Sequence, residues 1–329
     1  MARLRRSDCS IPGITRRRRG KGFSYTDEAG RRVTDPEVLD RIQALAIPPA
    51  WTDVWICPWP NGHIQAVGTD AAGRRQYRYH DGWRLRRDQE KFARVEEFGR
   101  ALPRLRQVVE RDLAGEGPTR ERVLAAIVRL LDVGLFRVGG ADYAAEHETF
   151  GVATLRKEHV KLRGDGWMCF DYPAKGSIER KAEIFDPAAG EVVSALRRRR
   201  SGQNLFAYKD GRRWVDVTAQ DVNDYIKAAA GREFSSKDFR TWSASVLAAT
   251  ELAGADGKPT KAAVRSAVRT VSEWLGNTPT VCRSSYIDPR VIDRFENGER
   301  ISDRLSARRS IEEAVIELLD GTDGAGGSG

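Results

Sequence analysis

The chain has 329 residues, with 56 Lys and Arg against 47 Asp and Glu, so its formal net charge is +9 at pH 7. Hydrophobic residues make up 40% of it and form no long apolar run, so we expect no membrane span. The basic excess favours a polyanionic partner, because each phosphate that Lys or Arg neutralises releases counterions. A basic, well-solvated surface or binding to acidic lipid would also account for the charge.

The first part of the chain is rich in arginine, including the run at 16–19, and has no apolar segment after its charges. This is not the pattern of a secretory signal, and we expect residues 1–21 to form a basic flexible arm. The cysteines lack the paired spacing of a zinc site or a redox dithiol: Cys9, Cys57, Cys169 and Cys282. Free thiols in a reducing compartment fit this spacing, so we predict a cytoplasmic protein.

Short β-rich segments separated by Gly, Pro, Asn and Asp dominate residues 22–88 and predict a small sheet domain. One helical insertion is expected in it, over DPEVLDRIQALAI (35–47). The segments that we interpret as strands are DVWICPW, HIQAVGTD and RQYRYHDGW.

The pattern becomes helical near Asp88, and residues 88–113 are predicted to be a helix interrupted at Pro103. A second helix is expected to begin after Thr119, whose side chain can cap the first turn, and to stop at Gly134. The apolar stripe of this second helix consists of Val123, Leu124, Ile127, Leu130 and Leu131.

Three later segments alternate in hydrophobicity like the strands of a second small antiparallel sheet: TLRKEHVKL, WMCFDY and SIERKAEIF. Helical patterns dominate again from about residue 187, and the glycine-rich end is expected to be disordered. We therefore predict an α+β fold of four segments. They are the arm (1–21), the N-terminal sheet domain (22–88), a mainly helical domain that carries a small antiparallel sheet (89–320), and a disordered tail (321–329).

Signatures of nucleotide and metal sites are missing from the sequence. GADGKPT lacks the spacing of a phosphate-binding loop, no GxGxxG occurs, and the four histidines form no HExxH. No acidic cluster suggests a two-metal site. We therefore predict no cofactor. An enzyme that acted on DNA without ATP or a metal would have to draw its electrophilic help from Arg and Lys.

Tyr286 lies among small and polar residues in LGNTPTVCRSSYIDP (275–289). A phenol in this context is either half-buried, with its hydroxyl bonded to a neighbour, or a nucleophile. A tyrosine can attack a phosphodiester in line and form a phosphotyrosyl link. That reaction needs arginines for the non-bridging oxygens, and a lysine whose pKa cationic neighbours have lowered to protonate the leaving alkoxide.

Five segments resemble, in order and spacing, the type IB DNA topoisomerases, and most closely the compact poxvirus-type branch that includes bacterial members. They are IPPAWTDVWICPWPNGHIQAVGTDAAGRRQYRYHDGW (47–83), LFRVGGADYAAEHETFGVATLRKEHVKL (135–162), FDYPAKGS (170–177), KDFRTW (237–242) and LGNTPTVCRSSYIDP (275–289). The resemblance covers nearly everything between about 22 and 300. It implies a two-domain clamp around duplex DNA, and nicking, rotation and religation through a 3′-phosphotyrosyl intermediate without ATP or an obligatory metal.

The resemblance also implies a role for each matching residue. Tyr286 is the nucleophile, and Arg137 and Arg240 hold the non-bridging oxygens of the scissile phosphate. Lys175, in the turn PAKG, is the general acid for the leaving 5′ oxygen. Asn277 stands where the poxvirus enzymes have His, which loses a potential charge but keeps a hydrogen-bond donor for the transition state.

Taken singly, these residues also have structural interpretations. Arg137 follows a helix end, where a basic residue often merely meets the helix dipole. Asn277, after a glycine, is also typical of an ordinary helix-ending turn. The lysine assignment stays open, because Lys161 and Lys181 lie on nearby strand segments and the spacing around Lys175 departs from the family by a short insertion.

Basic and aromatic residues alternate in RRQYRYHDGW (74–83), which is typical of a DNA-contacting strand. Gln76 can read a base edge, and Tyr77 and Tyr79 can contact bases or backbone. An edge strand with packed aromatics would explain the same pattern. Tyr143 also matches a DNA-contacting position of the poxvirus branch.

We expect a monomer that binds double-stranded DNA at the bacterial nucleoid, and no membrane partner.

Two other functions compete with the topoisomerase interpretation. A tyrosine recombinase uses the same chemistry, but its second Arg usually follows an H-x-x-R pattern, whereas Lys237 stands three residues before Arg240. A non-catalytic basic DNA-binding protein would have no need of a nucleophile, two arginines and a lysine in the order found here.

Overall fold

The computed structural model describes residues 3–20, 22–176, 178–301 and 310–321, except the side chains at 142, 143 and 147. The chain divides into two compact units, Met1–Phe92 and Ala93–Gly329. The boundary between them falls within one helix, α2 (Asp81–Leu113). Within the described ranges, no helix has both the length and the apolar character needed to cross a bilayer.

The first unit is built on a five-stranded antiparallel sheet with the strand order β2-β1-β3-β4-β5. The strands are β1 (Ile14–Arg19), β2 (Gly22–Thr26), β3 (Thr52–Ile56), β4 (Ile64–Thr69) and β5 (Arg75–Tyr79), and α1 (Pro36–Ala44) lies between β2 and β3 in the chain. Ile42 of α1 packs with residues of the sheet to form the core, which also contains Ile14, Val54, Ile56 and Ala66.

Residues 14–19, predicted to belong to a flexible arm, are a strand of this sheet. β1 pairs with β2 from Thr15 to Arg19 and with β3 through Ile14 and Thr15. The guanidinium of Arg16 donates to the carbonyls of Pro48 and Trp51 at 3.0 and 2.7 Å. The prediction was wrong here because the arginine run masks the strand, whose apolar signal rests on one fully buried residue, Ile14.

Helix α2 continues through Pro103, where the sequence predicted an interruption. A proline in a helix interior removes one backbone hydrogen bond and crowds the carbonyl four residues earlier. Leu102 and Leu105 flank the proline and are each 1% exposed, so their burial offsets this loss. Tertiary packing therefore overrides the local signal.

Helix α3 (Arg120–Gly134) is the buried centre of the second unit. Thr119 caps it as predicted, because its side chain accepts a hydrogen bond from the Arg122 backbone N–H. Its apolar stripe is fully buried against neighbouring helices and strands. The other helices of this unit within the described residues are α4 (Ala141–His147), α5 (Pro187–Arg197), α6 (Ala219–Ala230), α7 (Ser236–Ala253), α8 (Lys261–Leu275), α9 (Pro279–Ser285), α10 (Pro289–Glu296) and α11 (Ile311–Asp320).

The second unit also carries the predicted antiparallel sheet, with the order β6-β7-β8. Its strands are β6 (Val160–Leu162), β7 (Trp167–Ala174) and β8 (Ile178–Phe185), so most of TLRKEHVKL lies outside β6. A further hairpin, β9 (Ala207–Asp210) with β10 (Arg213–Asp216), lies where the sequence predicted mainly helices. The sequence feature that predicts this hairpin is the Asp-Gly turn between its two very short strands.

Together, the sheet and helices of the second unit and the sheet of the first confirm the predicted α+β class. The predicted tail, 321–329, lies outside the described residues apart from Gly321, which ends α11.

Candidate active site

The C-terminal ends of α3 and α8 come together, and three arginine side chains connect them. We call Arg137, Arg180 and Arg240 the arginine cluster. Their guanidinium groups donate to main-chain carbonyls at the two helix ends and, in one case, to a side-chain amide. The last carbonyls of a helix lack intrahelical partners and carry partial negative charge, so they hold cations without neutralising them. No carboxylate of the described residues pairs with the cluster.

Arg240, in the first turns of α7, is the most deeply buried member, with 3% of its surface exposed. Its Nη1 donates to the carbonyl of Leu135, and its Nη2 donates to that of Leu275 at 2.8 Å. Burial, together with the neighbouring charge of Arg137, lowers the pKa of Arg240 to about 10. The guanidinium is still charged at neutral pH.

Arg137 fixes the orientation of Asn277. Its Nη2 donates to the Asn277 Oδ1 at 2.6 Å and to the carbonyl of Gly276 at 3.1 Å. Because an arginine only donates, the amide oxygen must face it and the amide nitrogen must point away. That nitrogen, Nδ2, is buried and has no hydrogen-bond partner. A buried, unpaired donor beside two guanidinium groups is suited to an oxygen that carries negative charge.

A close crossing of two glycines holds the backbone around Arg137. A Cβ on Gly151 would lie 2.3 Å from the nitrogen of Gly139 and 2.6 Å from the carbonyl oxygen of Arg137. Gly139 has φ +82°, which favours glycine. The N–H of Val152 donates to the Arg137 carbonyl at 2.8 Å. The main chain of Arg137 is therefore fixed by the crossing, and its side chain by the end of α8.

Arg180 was not singled out by the sequence analysis. It lies on β8 opposite Tyr172 of β7, and its Nη2 and Nη1 reach the carbonyls of Gly134 and Trp274. A signal for it exists in the sequence. In IERKAEIF, Arg180 is in phase with Ala182 and Ile184, which face inward, so it is a charge placed on the buried face of a strand.

Tyr286 follows α9 directly and is half-buried. The centroid of its ring lies 5.3 Å from the guanidinium carbon of Arg240. Asn277 and Tyr286 thus lie near the two ends of one short helix, both within reach of the arginine cluster.

Two other potential nucleophiles lie near the cluster, but both are buried. Tyr172 is 2% exposed, and burial raises the pKa of its phenol to about 12. Cys282 is 0% exposed, and burial raises the pKa of its thiol to about 11. Of these three side chains, Tyr286 is therefore the most accessible to solvent.

Lys175 is exposed on the turn between β7 and β8, where it lines a small cleft of about 230 Å³ together with Arg137. The Thr149 hydroxyl, which the sequence analysis also missed, is buried in the wall of this cleft without a partner. Lys175 and Lys181 both line a larger neighbouring cleft, and Lys181 also pairs with Asp171 across 3.5 Å. Lys161 lies on β6, opposite Cys169 of β7.

Two family profiles match consecutive parts of the chain. The profile for the eukaryotic DNA topoisomerase I catalytic core matches residues 80–309, and that for the bacterial DNA topoisomerase IB N-terminal domain matches residues 22–70. The DNA topoisomerase 1B of Acanthamoeba polyphaga mimivirus is 30% identical over 299 residues, which cover 87% of this chain and 88% of the viral protein. The chain belongs to the type IB DNA topoisomerase family.

Two fungal proteins are similar over shorter stretches. DNA topoisomerase 1 of Schizosaccharomyces pombe is 26% identical over 233 residues, or 69% of this chain and 26% of the fungal protein. DNA topoisomerase 1 of Mycosarcoma maydis is 24% identical over 212 residues, or 58% of this chain and 20% of that protein. The two family profiles and the viral relative confirm the predicted type IB topoisomerase and do not favour a recombinase or a non-catalytic DNA-binding protein.

The DNA contacts predicted for this type IB topoisomerase lie mostly on β5, an edge strand. Tyr77 and Tyr79 are 43% and 41% exposed and stack on one another, with 6.1 Å between ring centroids. Gln76 points to the other face of the strand and donates from Nε2 to Asp70 Oδ2 at 2.9 Å. The side chain of Tyr143 lies outside the described residues.

The candidate site of this type IB topoisomerase is built from cationic and neutral donors. In the part of the chain that the structure describes, no three His, Cys, Asp or Glu side chains are grouped as a metal site requires.

Proposed function

We propose that this topoisomerase relaxes supercoiled duplex DNA by nicking one strand with Tyr286, allowing rotation, and resealing the nick. Attack of the phenol oxygen on phosphorus would form a 3′-phosphotyrosyl bond and release the 5′ oxygen. That bond conserves the energy of the broken phosphodiester, so resealing needs no ATP. The arginine cluster carries this proposal, because helix-end carbonyls hold its charges in place next to Tyr286 without cancelling them.

The same geometry supports roles for the other donors. Arg137 and Arg240 would bind the non-bridging oxygens of the scissile phosphate, where negative charge builds up in the transition state. The unpaired Nδ2 of Asn277 would donate to one of these oxygens. These groups are fixed before DNA arrives, so little reorganisation is needed when the reaction takes place.

Lys175 is our choice for the acid that protonates the leaving 5′ oxygen. It shares the small cleft with Arg137, which would bring it close to a phosphate bound there. Neither Lys181 of β8 nor Lys161 of β6 lines this cleft.

The direct test is relaxation of a supercoiled plasmid in EDTA without ATP. We expect the full chain to convert it into a ladder of relaxed topoisomers, because rotation is driven by superhelical strain alone. A strict need for ATP or a divalent metal would contradict the proposal. Exchange of strands between two duplexes, without relaxation, would instead support a recombinase.

A second basic surface in the catalytic unit supports DNA as the partner. Arg265 and Arg269 of α8 and Arg283 of α9 are exposed and line one groove of about 510 Å³. No carboxylate of the described residues pairs with them, in contrast to many surface arginines of this unit. Arg283 lies one helical turn before Tyr286. We propose that this arginine groove binds phosphates of the duplex, with Gln76, Tyr77, Tyr79 and Tyr143 as further DNA contacts.

Neutralising the arginine groove should weaken DNA binding and make it less dependent on salt. With Arg265, Arg269 and Arg283 all replaced by Gln, we expect the slope of log affinity against log salt to become shallower by about 2 to 3, since each lost phosphate contact removes about 0.9. Fluorescence anisotropy on a short duplex across a salt series measures this slope.

The matched control replaces three exposed arginines that already have carboxylate partners: Arg111, Arg163 and Arg232. It removes the same charge, so a similar slope change in both triple variants would show that net charge and not the groove matters.

We further propose that the enzyme acts as a monomer on nucleoid DNA in the cytoplasm.

A further inference from the structure

We propose that Arg180 is a positioning residue for DNA cleavage and religation. It connects the end of α3 to the end of α8 and so keeps Arg137 and Asn277 in a fixed position relative to one another. This inference rests on the proposed function. Arg180 lies outside the residues on which the family resemblance was based. It is also the one member of the arginine cluster for which neither the motifs nor the chemistry above provides a role.

The contacts of Arg180 reach both helix ends at once. Its Nη2 donates to the carbonyls of Gly134 and Leu135 at 2.8 and 3.4 Å, and its Nη1 donates to that of Trp274 at 3.2 Å. The first segment leads within two or three residues to Arg137, and the second leads within three to Asn277. A shift of one helix end against the other would therefore separate the two groups that we expect to hold the phosphate.

Gly276 shows how closely the two guanidinium groups approach the turn that leads to Asn277. A Cβ added at Gly276 would lie 3.7 Å from Arg180 Nη1 and 4.0 Å from Arg137 Nη1. Both groups therefore cover the same side of this turn. Arg180 thus supports the turn from the side of β8, while Arg137 bonds it directly.

Arg180 is half-buried, and withdrawing part of its guanidinium from water costs free energy that a structural role would justify. Its guanidinium lies over the ring of Phe136, 5.6 Å from the centroid, and its Nε is buried without a partner. Burial and the nearby Arg137 lower the pKa of Arg180, and no carboxylate of the described residues pairs with it. A buried charge held by neutral carbonyls alone is expensive. The planar fork of arginine is required because it reaches carbonyls on two separate elements.

Single-turnover cleavage of a duplex by the full chain tests this role. For Arg180→Met we expect the rate constant for formation of the covalent adduct to fall by about 100-fold, as for a small misplacement of reacting groups. The dissociation constant for the duplex should change little. Arg180→Lys should recover only part of the rate, because it restores the charge but not the fork. Loss of folded protein would lower the amplitude of the reaction and leave its rate constant unchanged.

Arg199 provides the matched control. It is 9% exposed, lies over the ring of Trp214, and donates to the carbonyls of Ser201 and Asn204 at 2.7 and 2.8 Å. Arg199→Met should reduce thermal stability but leave the cleavage rate constant unchanged.

The outcomes separate this inference from the proposed function. If wild type forms the adduct and Arg180→Met matches its rate constant, or if Arg199→Met slows cleavage equally, the positioning role is overturned while the proposed function stands. If wild type forms no adduct at all, both fail. A full recovery in Arg180→Lys would also overturn the role, because charge alone would then suffice.

Discussion

Tyr286→Phe should abolish relaxation of supercoiled DNA while leaving duplex binding nearly intact. The substitution removes one oxygen atom, and in our proposal that atom attacks the phosphorus. The ring, which lies near the guanidinium of Arg240, is retained. Plasmid relaxation and duplex affinity measured on the same preparation check both parts. Denaturing wild type on DNA should in addition trap a 3′-linked adduct, which mass spectrometry can locate on Tyr286.

Tyr172→Phe is the matched control, because Tyr172 lies near the same arginines but is buried. It should relax plasmid at close to the wild-type rate. An adduct mapped to another tyrosine or to a 5′ end would refute the assignment, and so would residual relaxation by Tyr286→Phe comparable to wild type.

Lys175→Ala should slow cleavage of ordinary DNA by about two to four orders of magnitude, the usual contribution of a general acid. Replacing the bridging 5′ oxygen of the scissile phosphate with sulfur removes the need for an acid, since a thiolate is a far better leaving group. The variant should therefore cleave the sulfur-containing strand almost as fast as wild type does. Single-turnover cleavage of the two substrates measures this rescue.

Three comparisons make the lysine test specific. Arg137→Ala should be rescued less fully by sulfur, because the charge on the non-bridging oxygens still needs a partner. Lys181→Ala and Lys161→Ala should cleave ordinary DNA at near wild-type rates. Rescue by sulfur at either of these lysines, and not at Lys175, would move the acid from the turn onto a strand.

The sequence contained enough information to find the residues that meet at the helix ends. Arg137, Arg240 and the segment from Asn277 to Tyr286 are far apart in the chain, and their order and spacing within motifs predicted them. Their proximity could not be derived from local patterns, because it depends on the ends of α3 and α8 meeting. The roles of these residues stay predictions until the variants above are measured.

Arg180 and β1 were missed for related physical reasons. Arg180 is a charge on the inward face of β8, and a pattern that assigns charges to the solvent side passes over it. In β1, the arginine run suggested a solvated arm, although Arg16 is bound to main-chain carbonyls. In both cases the partners of the guanidinium are carbonyls, which every residue carries and which therefore leave no trace in the side-chain sequence.

The carbonyl-held arginine cluster implies a conflict between folding and turnover in this enzyme. Three like charges held close together, without acidic partners in the described chain, repel one another in the free protein. An acidic side chain nearby would relieve this electrostatic frustration, but in the proposed mechanism it would also compete with the DNA phosphate for the same guanidinium groups. The most stable sequence for this fold is therefore a different one from the most active sequence. In the proposed mechanism, the bound DNA phosphate supplies the negative charge that the described part of the chain does not place beside the cluster.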